Sequence, residues 1–232
     1  MEEPSSSLTN QSQVSGFKVE RLGIPTSKPE LEVSLRWMEI YSDKNIFTSD
    51  LRYLQFRKRR ALFKERTVNE AMAHYERGLA NHLAQFKAYL RDVESDLLAV
   101  APSCYDAEAK KTHSEVFGDA ARALRPDRPE AVFVKDCDAS RKTDAGEESS
   151  TVDRVYTGIK IVEPRDVSRY NHLLIVDDVF AGGKTAAAMV RHLRRIGLAE
   201  HAQITVAVPL RVMPSKPKID YWKIINEQQQ KQ

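Results

Sequence analysis

The segment from His172 to Gly197 constrains the chain more than any other. Four apolar residues, Leu173 to Val176, run into two adjacent carboxylates, Asp177 and Asp178. An apolar run without polar alternation reads as a strand buried on both faces, the habit of parallel sheets covered by helices. A small, glycine-containing turn follows, and then a helical stretch, Thr185–Ile196, that stops at Gly197, a residue suited to the left-handed position after a helix. A strand that passes through glycines straight into a helix leaves its carboxylates at the strand's C-terminal end. In an open α/β sheet that is the edge where ligands bind.

The rest of the chain supports such a sheet. Short apolar runs recur at Leu97–Ala101, Ala131–Val134, Ile159–Val162 and Ile204–Val208. Each has strand length, and helical stretches lie between them; His113–Leu124 follows the capping box Thr112-His113-Ser114-Glu115. Strands alternating with helices predict an α/β fold with a mostly parallel sheet flanked by helices. Residues 1–30 are rich in Ser, Gln, Glu and Thr and read as a mobile arm. Residues 31–95 read as a helical region. Its clearest helix starts at the capping box Thr67-Val68-Asn69-Glu70 and carries Met72, Tyr75, Leu79, Leu83, Phe86 and Leu90 on one face. Residues 96–212 are the expected core and 213–232 a C-terminal tail.

Composition excludes several classes. No apolar run approaches the roughly 18 residues of a membrane span, and the acidic, polar start is unlike a secretory signal. Two cysteines, Cys104 and Cys137, make neither a disulfide framework nor a metal-ligand spacing, so a reducing cytoplasm is the expectation. The histidines are scattered, and no protein-held metal is expected. A net charge of +3 does not by itself argue for nucleic acid.

The chemistry of the central segment is divided. Gly182 and Gly183 let backbone approach a ligand, and the following helix N-terminus offers unpaired N–H groups and a positive dipole, which favour phosphate. Ala181, Gly182, Gly183, Lys184 and Thr185 are therefore candidate phosphate contacts, with Thr185 adding a hydroxyl. Carboxylates repel phosphate but accept hydrogen bonds from sugar hydroxyls, so the unit suits a sugar phosphate. Gly183-Lys184-Thr185 matches the end of a Walker A loop, but Asp178 stands where its first glycine belongs, which argues against a nucleoside triphosphatase.

The run Leu173 to Thr185 resembles the PRPP signature of type I phosphoribosyltransferases: four apolar residues, an acidic pair, an apolar residue and a Thr/Gly-rich loop ending in Thr. The resemblance spans about residues 96–212 and implies a Rossmann-like phosphoribosyltransferase fold. It also implies that Asp177 and Asp178 take the ribose 2′- and 3′-hydroxyls and the loop takes the 5′-phosphate of PRPP, with Mg²⁺ arriving on PRPP. Gly182 stands where the family usually has Thr or Ser, so one hydroxyl donor is missing and weaker phosphate binding is expected. The family's pyrophosphate loop would follow Leu97–Ala101, with Ser103, Lys110 and Lys111 as contacts. Its catalytic loop would be 135–158, with Arg141 placed on the leaving pyrophosphate and Lys142 and Arg154 as further cations. The order of parts is similar to the ComF-type branch. A nitrogen acceptor, not identified by the residues, would displace pyrophosphate, and a homodimer would be usual for the family.

An alternative stays open. Arg57-Lys58-Arg59-Arg60, with Tyr53, Phe56 and Phe63 interleaved, is a basic cluster in the region the resemblance does not cover. It could serve a nucleic-acid or protein partner of a weakly active or inactive PRPP sensor, or be a solvated helix face.

Overall fold

The computed structural model describes residues 17–24, 31–41, 80–102, 113–136, 152–162 and 166–212. Within them the strands are β1 (Lys18–Ile24), β2 (Leu31–Tyr41), β3 (Leu97–Val100), β4 (Glu130–Ala131), β5 (Phe133–Lys135), β6 (Ile159–Ile161), β7 (His172–Val176), β8 (Val179–Phe180) and β9 (Gln203–Val212). The helices are α1 (80–90), α2 (His113–Leu124), α3 (Val152–Gly158) and α4 (Lys184–Arg195). Seven strands form one sheet in the order β1-β2-β9-β7-β3-β4, with β8 paired to β9. Every pairing in it is parallel except β1 with β2. The protein is thus of the α/β class, with a mostly parallel sheet flanked by helices.

Side-chain alternation divides the core into two layers. Leu97, Ala99, Leu173, Ile175, Ile204, Val206 and Val208 face α4, whose Ala186 to Val190 and Leu193 are buried against them. Leu98, Leu174, Val176 and Ala207 face the other way, onto Phe86 and Leu90 of α1 and Phe117, Ala120 and Ala121 of α2. Burial of each large apolar side chain contributes about 1.5–3 kcal/mol, and β7 supplies both layers from the middle of the sheet. That explains why its sequence shows no polar alternation.

Three expectations need correction. Residues 31–95 do not begin as a helical region: Leu31–Tyr41 is an eleven-residue strand that pairs in parallel with β9. Residues 1–30 are not a mobile arm throughout, because Lys18–Ile24 pairs antiparallel with β2 as an outer strand of the sheet. Leu31, Val33, Leu35 and Trp37 are buried on one face while Glu32 is exposed and Ser34 and Arg36 are partly exposed, the period of two that a strand requires. The sheet therefore recruits residues from before the expected 96–212 core. The runs near 131 and 159 also do not both enter the main sheet. Ala131 does, in β4, but β5 and β6 form a separate antiparallel pair. Phe133 and Ile159 are buried in it while Val134 is exposed, so one face is wet.

The periodicity after Thr67 can be compared only from residue 80, where α1 buries Phe86 and Leu90; its capping box lies outside the described residues. Among the described residues no helix is long and apolar enough to cross a membrane.

Candidate functional site

β7 ends where the chemistry begins. The Asp177 N–H donates to the Ala207 carbonyl of β9 at 3.2 Å, and the Ala101 N–H donates to the Val176 carbonyl at 2.8 Å. Bonds from both flanking strands thus fix the end of β7, from which the carboxylates follow. The Asp178 N–H turns back to Asp177 Oδ1 at 2.8 Å, which fixes the two acidic residues relative to each other.

Burial and then the neighbouring negative charge of Asp178 push the Asp177 carboxyl well above the usual carboxylate range. A hydrogen bond between the two side chains acts in the same direction, and those from the Asp178 N–H and Ser114 oppose it. Two like charges this close make full ionisation of both costly, and such a pair titrates as a unit.

The turn beyond them is pinned. Val179 and Phe180 pair in parallel with Leu210 and Arg211 of β9, and Phe180 is buried in the core under α4. Ala181 and Gly182 are then exposed, and Gly183 is buried. Gly183 caps α4 in the left-handed conformation, φ 69° and ψ 6°, without a side-chain capping bond. Its carbonyl accepts the Ala187 N–H at 2.9 Å, the first bond of the helix. No acidic residue lies in the first turn of α4. The earliest N–H groups of a helix have no intrahelical acceptor, so this end suits an anion on both counts. Lys184 and Thr185 are partly exposed at it.

The third contributor comes from a different element. Ser114, in the first turn of α2, donates to Asp177 Oδ1 at 3.0 Å and lies 3.3 Å from Asp178 Oδ1. It is 2% exposed, one of few buried polar side chains among the described residues. Packing places it there. A β-carbon on Gly118 would lie 2.7 Å from both methyl groups of Val100, so only glycine lets α2 ride this close to β3. In the sequence Ser114 shows only as part of a capping box; no local signal ties it to residues 63 and 64 positions away.

Of the sequence-predicted residues, Asp177, Asp178, Ala181, Gly182, Gly183, Lys184 and Thr185 lie together on this one strand–turn–helix unit at the C-terminal edge of the sheet. Ser103, Lys110, Lys111, Arg141, Lys142 and the Arg57–Arg60 cluster lie outside the described residues. Arg154 falls within α3. A cavity of about 510 Å³ lined by Arg91, Ser95, Arg125 and Arg128 opens at the opposite edge, where β3 begins and α2 ends. It is far along the strands from the carboxylates, and the edge chemistry rather than this volume marks the site.

Fold and edge together define an α/β protein with paired carboxylates and an uncapped, glycine-led helix start on neighbouring positions. Comparison with models of known protein families returns no match, and comparison with curated proteins returns none either. Solved structures do show similarity. One is a purine phosphoribosyltransferase from Pyrococcus horikoshii, 15% identical, covering 59% of this chain and 82% of that one with a TM-score of 0.36. Another is the UMP synthase of Leishmania donovani, 13% identical, covering 68% of this chain but 26% of that one, TM-score 0.33. A third is a hypoxanthine phosphoribosyltransferase from Staphylococcus aureus, 12% identical, covering 60% of this chain and 69% of that one, TM-score 0.32.

Proposed function

We propose that this chain is a phosphoribosyltransferase-type protein that binds phosphoribosyl pyrophosphate (PRPP) at the β7–α4 edge and transfers the phosphoribosyl group to a nitrogen nucleophile with release of pyrophosphate. The observation that carries this reading is the division of labour on one short segment. Asp177 and Asp178 end a buried parallel strand, and a few residues later a helix starts from a left-handed glycine with no acidic residue in its first turn. Carboxylates accept from hydroxyls, a bare helix start accepts phosphate, and a ribose 5-phosphate presents both within one molecule.

In this reading the backbone N–H groups from Gly182 to Thr185, with the Thr185 hydroxyl, hold the 5-phosphate. Asp178 and Asp177 accept the ribose hydroxyls, orient the ring and place negative charge near the anomeric carbon as positive charge develops there. Arg141 is proposed to meet the departing pyrophosphate, and Ser103, Lys110 and Lys111 to bind it. Mg²⁺ would arrive on PRPP, held mainly by the ligand's own phosphate oxygens and by waters. Bound that way, the ion would neutralise charge on the pyrophosphate. The regulatory alternative, with Arg57–Arg60 engaging nucleic acid or protein, shares the binding step and differs in lacking turnover.

Calorimetry with PRPP, with and without Mg²⁺, tests the common step on the wild type and on Asp178→Asn. The expected result is wild-type binding weakened about tenfold or more in the variant, the loss of a charge-assisted hydrogen bond, with the fold unchanged by circular dichroism. Equal affinity in both proteins would remove Asp178 from the ribose site.

A further inference from the structure

We propose that Ser114 is a positioning residue: its one hydroxyl, placed between Asp177 and Asp178, holds both carboxyl groups in a fixed orientation and keeps the pair competent to accept a sugar diol. The proposal deepens the reading of this edge as a ribose-phosphate site and rests on it.

The geometry sets the terms. Ser114 Oγ lies 3.0 Å from one carboxyl oxygen and 3.3 Å from the other. A hydroxyl carries one hydrogen, so it serves one of the two anionic oxygens fully at any moment. Held within hydrogen-bond reach of one hydroxyl, the two carboxyl groups are fixed relative to each other. A vicinal diol brings two donors, and on binding both sugar hydroxyls donate to the carboxyl oxygens.

The placement is too specific for a helix cap alone. A cap serves the N–H groups of its own helix, whereas these contacts cross from α2 to the end of β7. Ser114 is 2% exposed, so bulk water has little access to replace its hydroxyl. α2 is also fixed in height by the glycine contact with Val100 and by Phe117 against Leu174 and Val176. Among the described residues, the groups facing Asp177 are Asp178 beside it, Ser114 from α2 and the Ala207 carbonyl from β9; Lys184 opens α4 beyond the turn.

The ligand-free protein gives the first test. Carboxyl carbons of Asp177 and Asp178 are titrated by carbon NMR in the wild type, in Ser114→Ala and in Ser114→Thr, with melting curves to establish folding. A hydroxyl that donates to a carboxylate favours its ionised form, so the alanine variant should titrate at higher pH and the threonine variant should return toward the wild type. Identical titrations in wild type and Ser114→Ala would overturn the proposal. Should the alanine variant fail to fold, Ser114→Cys, a weaker donor of similar shape, carries the same comparison.

PRPP calorimetry across pH is the second test. Ser114→Ala should bind about tenfold more weakly, and the pH below which binding is lost should move up. Unchanged affinity and an unchanged pH limit would also overturn the proposal. A wild type that binds no PRPP would sink the reading of the site, and the titration would still decide whether Ser114 controls the pair.

Discussion

Two adjacent glycines on the turn between β7 and α4 have opposite structural demands. Gly183 sits at φ 69°, and a β-carbon there would lie 2.7 Å from Ile24 Cδ1, 2.9 Å from Phe180 Cζ and 3.0 Å from Ile24 Cγ1. The left-handed conformation costs a residue with a side chain about 1–2 kcal/mol. The clash adds about 1 kcal/mol, the low end for overpacking, because most of the crowding comes from the far ends of the Ile24 and Phe180 side chains. Gly183→Ala should therefore destabilise by about 2–3 kcal/mol, which for a chain of this size lowers the melting temperature by about 4–12 °C. Gly182 has nothing within 4 Å of a β-carbon and no positive φ, so Gly182→Ala should stay within about 0.5 kcal/mol of the wild type. Thermal melts of the three proteins at one scan rate make the comparison. The reasoning fails if Gly183→Ala melts with the wild type, or if Gly182→Ala is the more damaged of the two.

The same open space makes Gly182→Ser a gain-of-contact variant. It adds a hydroxyl donor at the start of the anion site, and calorimetry should show PRPP bound more tightly by about tenfold or more, the worth of one hydrogen bond to a charged group; no gain would mean the phosphate does not lie against Gly182. A further prediction concerns acid. The folded protein holds the Asp177 proton more tightly than the unfolded chain does, because burial and Asp178 push that carboxyl up. Its contribution to stability is present below the unfolded value of about 3.9 and is lost as pH rises through the folded value. Asp177→Asn should therefore melt above the wild type near neutrality, with the gap closing on acidification. A variant that melts lower at neutral pH, with a gap that ignores pH, would contradict the assignment.

The elements that could be read from the sequence are those whose logic is local. His172 to Gly197 is one continuous stretch in which burial on both faces, the acidic pair, the turn and the helix stop each leave a mark on neighbouring residues. The structure places β7 at His172–Val176, α4 at Lys184–Arg195 and Gly197 at φ 114°. α2 follows the same rule, running from His113 to Leu124 after its capping box. β1 and β2 were harder, because Glu20, Arg21, Glu32 and Arg36 break up the apolar signal and the partner strand β9 lies some 170 positions away. Yet Leu31, Val33, Leu35 and Trp37 do alternate, and a test for period two over those residues finds the strand.

Ser114 had no such signal available. Its importance arises from where the sheet order puts β7 beside β3, and from a glycine that lets α2 settle against Val100. A sequence motif names the atoms that would touch a ligand, because the turn that presents them is contiguous. A hydrogen-bond donor to those groups is brought in by packing between distant segments. In this protein the acidic pair belongs to the motif, while its hydrogen-bond donor from outside the motif belongs to the fold. Substitutions at Gly118 or Val100, neither of which approaches the carboxylates in sequence, should thus reach the site through the height of α2.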